Sequence, residues 1–111
     1  PYIVDQRTFK TLDLSQKTPR FAVTSCMSDE WKFQPDIDAI WSKFEKQNVD
    51  FVIFSGDTVY VDSFGFVERQ KATAKDLWYR YSQTLTRLPF YHQKQLVPVY
   101  ATWDDHDFGT N

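Results

Sequence analysis

Phe51-Val52-Ile53-Phe54-Ser55-Gly56-Asp57-Thr58-Val59-Tyr60-Val61-Asp62 is the stretch that decides the fold. It opens on a short, continuously apolar run with β-branched and aromatic side chains, which predicts a strand over residues 50–55 buried on both faces, as in a parallel sheet. The run then empties into an acidic loop through Gly56. Immediately upstream, Ile37, Ile40, Trp41 and Phe44 fall at i, i+3, i+4 and i+7, and Pro35 and Asp36 suit a first turn, so an amphipathic helix precedes the strand. Further back, residues 20–25 predict a buried strand that delivers Cys26 at its carboxyl end. Downstream, Leu77, Tyr81, Leu85 and Leu88 mark one stripe of a helix over residues 73–88, which Pro89 ends. Residues 95–102 predict a third buried strand, with Pro98 arguing for a start near Val97 or a local irregularity.

The order β-α-β-α-β makes this an α/β fold with parallel strands joined by right-handed crossovers. All three strands then end on one edge of the sheet, the edge where open α/β sheets bind ligands. Cys26, Asp57 and Asp105 each follow a predicted strand end closely. Ahead of this unit, residues 2–14 alternate loosely and suggest an edge strand, and Ser15-Gln16-Lys17-Thr18-Pro19 reads as a linker or turn.

Composition narrows the function. At 111 residues and 41% hydrophobic, the chain can bury a core of its own. A net charge of −2 with both signs interspersed leaves no clustered basic excess, which argues against a nucleic-acid scaffold role. No apolar run approaches the roughly 20 residues of a membrane span. Cys26 is the lone cysteine, so no intrachain disulfide forms and the redox compartment is not readable.

The residues that carry chemistry sit at the strand ends. Trp103-Asp104-Asp105-His106-Asp107-Phe108 places three carboxylates around one imidazole between two aromatic residues. Hard cations take carboxylate oxygens, transition metals also accept imidazole, and a histidine beside a metal can move protons. A solvated acidic turn is the plain alternative. Asp57 after Gly56 is a candidate ligand or simply an Asx turn or helix N-cap. Tyr60 is a half-buried ring unless a strongly acidic metal removes its proton. Cys26 is a small buried hydrophobe, a thiolate ligand, or a nucleophile with His106 as base; the last is weakened because Ser25-Cys26-Met27 lacks the glycines of a nucleophile elbow. His92 has no acidic company and reads as a surface residue. Arg80 lies within the second helix, where a solvated or ion-paired face is the default and a phosphate contact the functional alternative.

Taken together, residues 20–26, residues 55–62 and Thr102-Trp103-Asp104-Asp105-His106-Asp107 resemble, in order and spacing, three successive motifs of the PhoD-like alkaline phosphatases, a branch of the metallophosphoesterases. The Trp-Asp-Asp-His-Asp/Glu run is the specific one. The resemblance implies an αββα-type catalytic domain of which residues 19–111 are the N-terminal part, with residues 1–18 resembling the end of a preceding β-sandwich module. It implies metal-dependent hydrolysis of small phosphate mono- or diesters, at a site holding ferric iron with calcium or another divalent ion. Carried over residue by residue, Cys26 and Tyr60 are iron ligands, Asp57 the bridging carboxylate, and Asp105 a ligand of the second metal. His106 matches the histidine that contacts substrate or protonates the leaving oxygen, and Asn111 matches a site asparagine. Two metals about 3.5–4 Å apart would clamp a phosphoryl oxygen and lower the pKa of a bound water toward about 7. Further ligands are expected from strands C-terminal to Asn111, and a secreted, periplasmic or cell-surface location is expected by the same resemblance. Two rival readings are a noncatalytic module that keeps the scaffold for binding a partner, and a Cys-His hydrolase.

Overall fold

In the computed structural model, which describes residues 4–62 and 72–108, the chain is mixed α/β. The elements are β1 (Thr8–Phe9), β2 (Phe21–Thr24), α1 (Gln34–Glu45), β3 (Phe51–Ser55), α2 (Ala74–Arg87), β4 (Gln95–Leu96), β5 (Val99–Thr102) and the one-turn α3 (Asp105–Phe108). The central sheet has the order β2-β3-β5, all parallel, with Phe21 opposite Phe51, Val52 opposite Val99 and Ser55 opposite Thr102. This register sets the carboxyl ends of the three strands side by side.

The helices start where their local chemistry says they should. Pro35 and Asp36 occupy the first turn of α1, where a missing N–H costs nothing and a negative charge meets the positive end of the helix dipole. Thr73 caps α2 through a reciprocal box: its hydroxyl accepts from the Asp76 N–H while the Asp76 carboxylate accepts from the Thr73 N–H. Leu88 leaves the helical region and Pro89 follows in a short 3-10 turn, Pro89–His92.

Pro98 splits the predicted third strand in two. Without an N–H it cannot donate to a ladder, so the chain switches partners at that point: β4 pairs in parallel with β1, and β5 joins the central sheet. Lys10 then closes the β1 connection by an ion pair with Asp50, at the start of β3.

The core lies on one face of the sheet. Val52 and Phe54 of β3 pack with Trp41 of α1 and with Leu88 and Phe90, Trp41 and Phe54 both contacting the Phe90 ring at centroid distances near 5.3 and 5.2 Å. The expectation of strands buried on both faces is corrected here. Phe21 and Val23 of β2 are more than half exposed, Phe51 and Ile53 are partly exposed, and all four residues of β5 are exposed. Sequential strand order with right-handed crossovers places successive connections on the same side, which leaves the opposite face without a covering layer. Two stripes also differ from expectation. Ile40 of α1 is 62% exposed, and the most buried positions of α2 are the polar Arg80 and Thr84, whereas Leu85 faces outward. Among the described residues no helix is long and apolar enough to cross a membrane.

Candidate metal centre

Three loops leave the carboxyl ends of β2, β3 and β5 and are laced together by backbone hydrogen bonds. The loop after β2 donates Cys26 N–H to the Gly56 carbonyl at 3.4 Å and Met27 N–H to the Asp57 carbonyl at 2.9 Å. The loop after β3 donates Val61 N–H to the His106 carbonyl at 3.0 Å. Asp107, 3% exposed, joins the last two: one carboxylate oxygen accepts from Val59 N–H at 2.8 Å and the other from Asp104 N–H at 3.0 Å. Its role is to hold loops, which the sequence alone did not distinguish from that of its neighbours.

Gly56 is the hinge of this junction. Its φ of +88° lies in the region that disfavours side chains, and a Cβ placed on it would stand 2.6 Å from Cβ of Asp104. Only glycine lets the end of β3 come so close to the acidic turn. Cys26 (φ 53°) and Asp57 (φ 51°) also adopt left-handed backbone, which is uncommon for residues other than glycine, although aspartate tolerates it better than cysteine does. Both angles are held by the Cys26–Gly56 and Met27–Asp57 bonds, and strain maintained in this way is a mark of functional sites.

The side chains converge on the same edge. The Cys26 thiol donates to Asp57 Oδ2 at 3.6 Å. Asp57, Asp104 and Asp105 each offer an oxygen, all within 4.8 Å of one another. Asp57 Oδ1 is buried and has no hydrogen-bond partner among the described residues. A buried carboxylate oxygen without a donor is costly, and a cation shared with the neighbouring carboxylates is the natural compensation. Tyr60 lies against this cluster. Burial, then the Cys26 thiol and the Asp57 and Asp105 charges, push its phenol well above its ordinary pKa. A bound cation acts in the opposite sense, which is the condition for a phenolate ligand.

His106 stacks on the Tyr60 ring at 4.4 Å between centroids and donates from Nδ1 to Asp62 Oδ1 at 2.8 Å. Asp62 is itself almost fully buried, so the ring is held from behind and Nε2 is left for a ligand. Burial works against the charged imidazole, but the Asp62 hydrogen bond and the Asp62, Asp57 and Asp105 charges outweigh it and raise the His106 pKa.

The structure thus brings Cys26, Asp57, Tyr60, Asp105 and His106 to one place, and adds Asp104 to the donor set and Asp62 behind the histidine. The signal for Asp62 was present in its position five residues after Asp57, within the same loop. Asn111 lies outside the described residues. Arg80 is placed differently from the phosphate contact entertained for it: its side chain is 2% exposed and enclosed by Asp29, Thr84 and the Tyr60 carbonyl, so its hydrogen bonds go to the protein. No hydrogen bond joins Cys26 to His106 among the described residues, because the thiol is turned to Asp57 and the imidazole to Asp62. His92 is exposed and donates to the Thr86 carbonyl, away from the centre.

A family model described as PhoD-like phosphatase matches residues 21–111, from the first residue of β2 onward. No curated protein and no solved structure matches the chain. The match takes in all three strands of the central sheet and all three loops of the candidate centre, and the chain belongs to the PhoD-like phosphatase family, a membership that supports a phosphatase-type function.

Proposed function

We propose that this chain carries part of the active centre of a metal-dependent phosphoesterase acting on small phosphate mono- or diesters. The observation that carries the reading is the orphaned, buried Oδ1 of Asp57 inside a cluster of carboxylates at the meeting point of three strand ends. In this reading Asp57, Cys26 and Tyr60 would hold the more acidic metal ion, and Asp57 and Asp105, with Asp104 beside them, would hold the second. A thiolate, a phenolate and carboxylates suit ferric iron together with calcium or another divalent ion, the pair implied by the family resemblance. Bound metals of this kind supply Lewis acidity that polarises a phosphoryl oxygen and makes water nucleophilic near neutral pH.

The protein's own residues supply position and a proton. Asp62 fixes the tautomer of His106 by accepting from Nδ1, so in the imidazolium form Nε2–H is free to donate to the leaving oxygen. The Tyr60 ring packed on the imidazole restricts its rotation. Asp107 keeps the loop of Asp57 and Tyr60 in register with the turn that holds Asp105 and His106. Asn111 is a further ligand by family resemblance, and the substrate enters from outside the sheet edge, from a secreted, periplasmic or cell-surface milieu.

Asp57→Asn tests the reading. In the intact protein, hydrolysis of p-nitrophenyl phosphate and of bis(p-nitrophenyl) phosphate should be abolished with the far-UV circular dichroism unchanged. Activity within a few-fold of wild type refutes Asp57 as a metal ligand. Unchanged partner binding with no hydrolysis by the wild type would favour a noncatalytic module.

A further inference from the structure

We propose that Arg80 is a positioning residue that clamps the Cys26 loop to the Tyr60 loop and thereby sets the geometry of the donor set. The inference rests on the metal-centre reading above.

Arg80 reaches from α2 into the seam between the two loops. Its Nε donates to the Tyr60 carbonyl at 2.9 Å, Nη1 donates to Asp29 Oδ2 and to Thr84 Oγ1, each at 3.0 Å, and Nη2 pairs with Asp29 Oδ1. Asp29 is three residues beyond Cys26, and both it and Arg80 are 2% exposed. The two loops already touch at their near ends, where Cys26 N–H donates to the Gly56 carbonyl, Met27 N–H to the Asp57 carbonyl and the Cys26 thiol to Asp57 Oδ2. Arg80 adds a second point of attachment at their far ends. Attachment at both ends fixes the relative orientation of the loops more firmly than the adjacent near-end bonds do alone.

The peptide between Tyr60 and Val61 shows why this reaches the donors. Its carbonyl is held by Arg80 and its N–H by the His106 carbonyl at 3.0 Å, so its plane cannot rotate. That plane sets the direction in which the Tyr60 side chain leaves the backbone. Stability alone is a poor reason for such a pair, since well-packed apolar residues replace buried ion pairs at little or no cost. A guanidinium does what they cannot: its fork delivers several N–H groups in fixed directions to a carboxylate and a carbonyl at once.

The test measures ferric iron binding by the intact protein, using the metal alone as the probe. Arg80→Lys keeps the charge but loses the fork, and Arg80→Met combined with Asp29→Leu removes the buried pair together, leaving the Arg87 guanidinium, 3.8 Å from Asp29 and 44% exposed, to solvent. Folded variants should bind iron about 10–100-fold more weakly, as expected for groups that orient ligands, with a shifted or lost tyrosinate-to-iron absorption band. Affinity within a few-fold of wild type and an unshifted band in either folded variant overturn the proposal while leaving the metal centre standing. The wild type supplies a reading that needs no substitution. Because coupling is reciprocal, iron should slow hydrogen exchange at Arg80 Nε–H, and an exchange rate insensitive to iron also overturns the clamp. A wild type that takes up no iron overturns the metal-centre reading itself, and the clamp with it.

Discussion

Gly56→Ala adds one methyl group at the junction of the two acidic loops, and its cost follows from one backbone angle and one distance. The backbone there has φ +88°, which an alanine tolerates only at about 1–3 kcal/mol. The new Cβ would lie 2.6 Å from Cβ of Asp104, against a comfortable carbon–carbon separation of about 3.5–4.0 Å, so one of them must retreat by roughly 1 Å. Overpacking of this kind costs about 1–3 kcal/mol, for a total of about 2–6 kcal/mol, a large share of the stability of a small domain. The two contributions are separable by a double-mutant cycle in urea. Asp104→Gly removes the opposing Cβ but leaves the backbone angle, so the double variant should recover about 1–3 kcal/mol relative to the sum of the singles. The loss of the Asp104 Oδ1 contact to Asp105 N–H occurs in both arms and cancels. A Gly56→Ala protein within about 0.5 kcal/mol of wild type, or singles that simply add, would refute the close approach of these loops.

Two further outcomes follow from carboxylates at the two edges of the sheet, Asp107 beside the centre and Asp50 at the amino end of β3. Asp107→Asn retains one acceptor for two N–H donors, the buried one of Val59 and the part-buried one of Asp104, and should destabilise by about 1–3 kcal/mol, with Asp107→Ala costing more; equal unfolding midpoints for the two variants would contradict the pair of hydrogen bonds to Val59 and Asp104. Asp50 is held below the usual carboxylate pKa by the Lys10 ammonium and then by Arg20 N–H, so its contribution is complete above its unfolded value of about 3.9 and is lost as pH falls through the lower folded value. Asp50→Asn should therefore be less stable than wild type at neutral pH, and the gap should close in acid; a gap that is constant with pH contradicts the linkage.

Much of the fold was legible because the signals are local. The apolar run at residues 51–54, the spacing of Ile37, Trp41 and Phe44, and Pro89 at the end of the second helix each specify an element by chemistry within a turn or two. The strand ends followed from the alternation of elements, and with them the approach of Cys26, Asp57 and Asp105. What escaped was tertiary. An arginine four residues before a threonine on a helix looks like a solvated face, and only Asp29, arriving from a loop 51 positions earlier, makes Arg80 and Thr84 the buried edge of α2. Pro98 announced an irregularity, but the change of partner strand depends on β1, whose two exposed residues carry little pattern of their own. The open face of the sheet was hidden for the opposite reason. Phe21, Val23, Phe51 and Tyr100 are as apolar as any core residue, and composition does not say which side of a sheet is covered.

Whether these strand ends hold metal is decided by elemental analysis of the purified intact protein together with its visible absorption spectrum. Iron is expected in stoichiometric amount, with a tyrosinate-to-iron band that Tyr60→Phe abolishes. A protein that retains phosphatase activity with no bound metal, after exhaustive chelation, would contradict it.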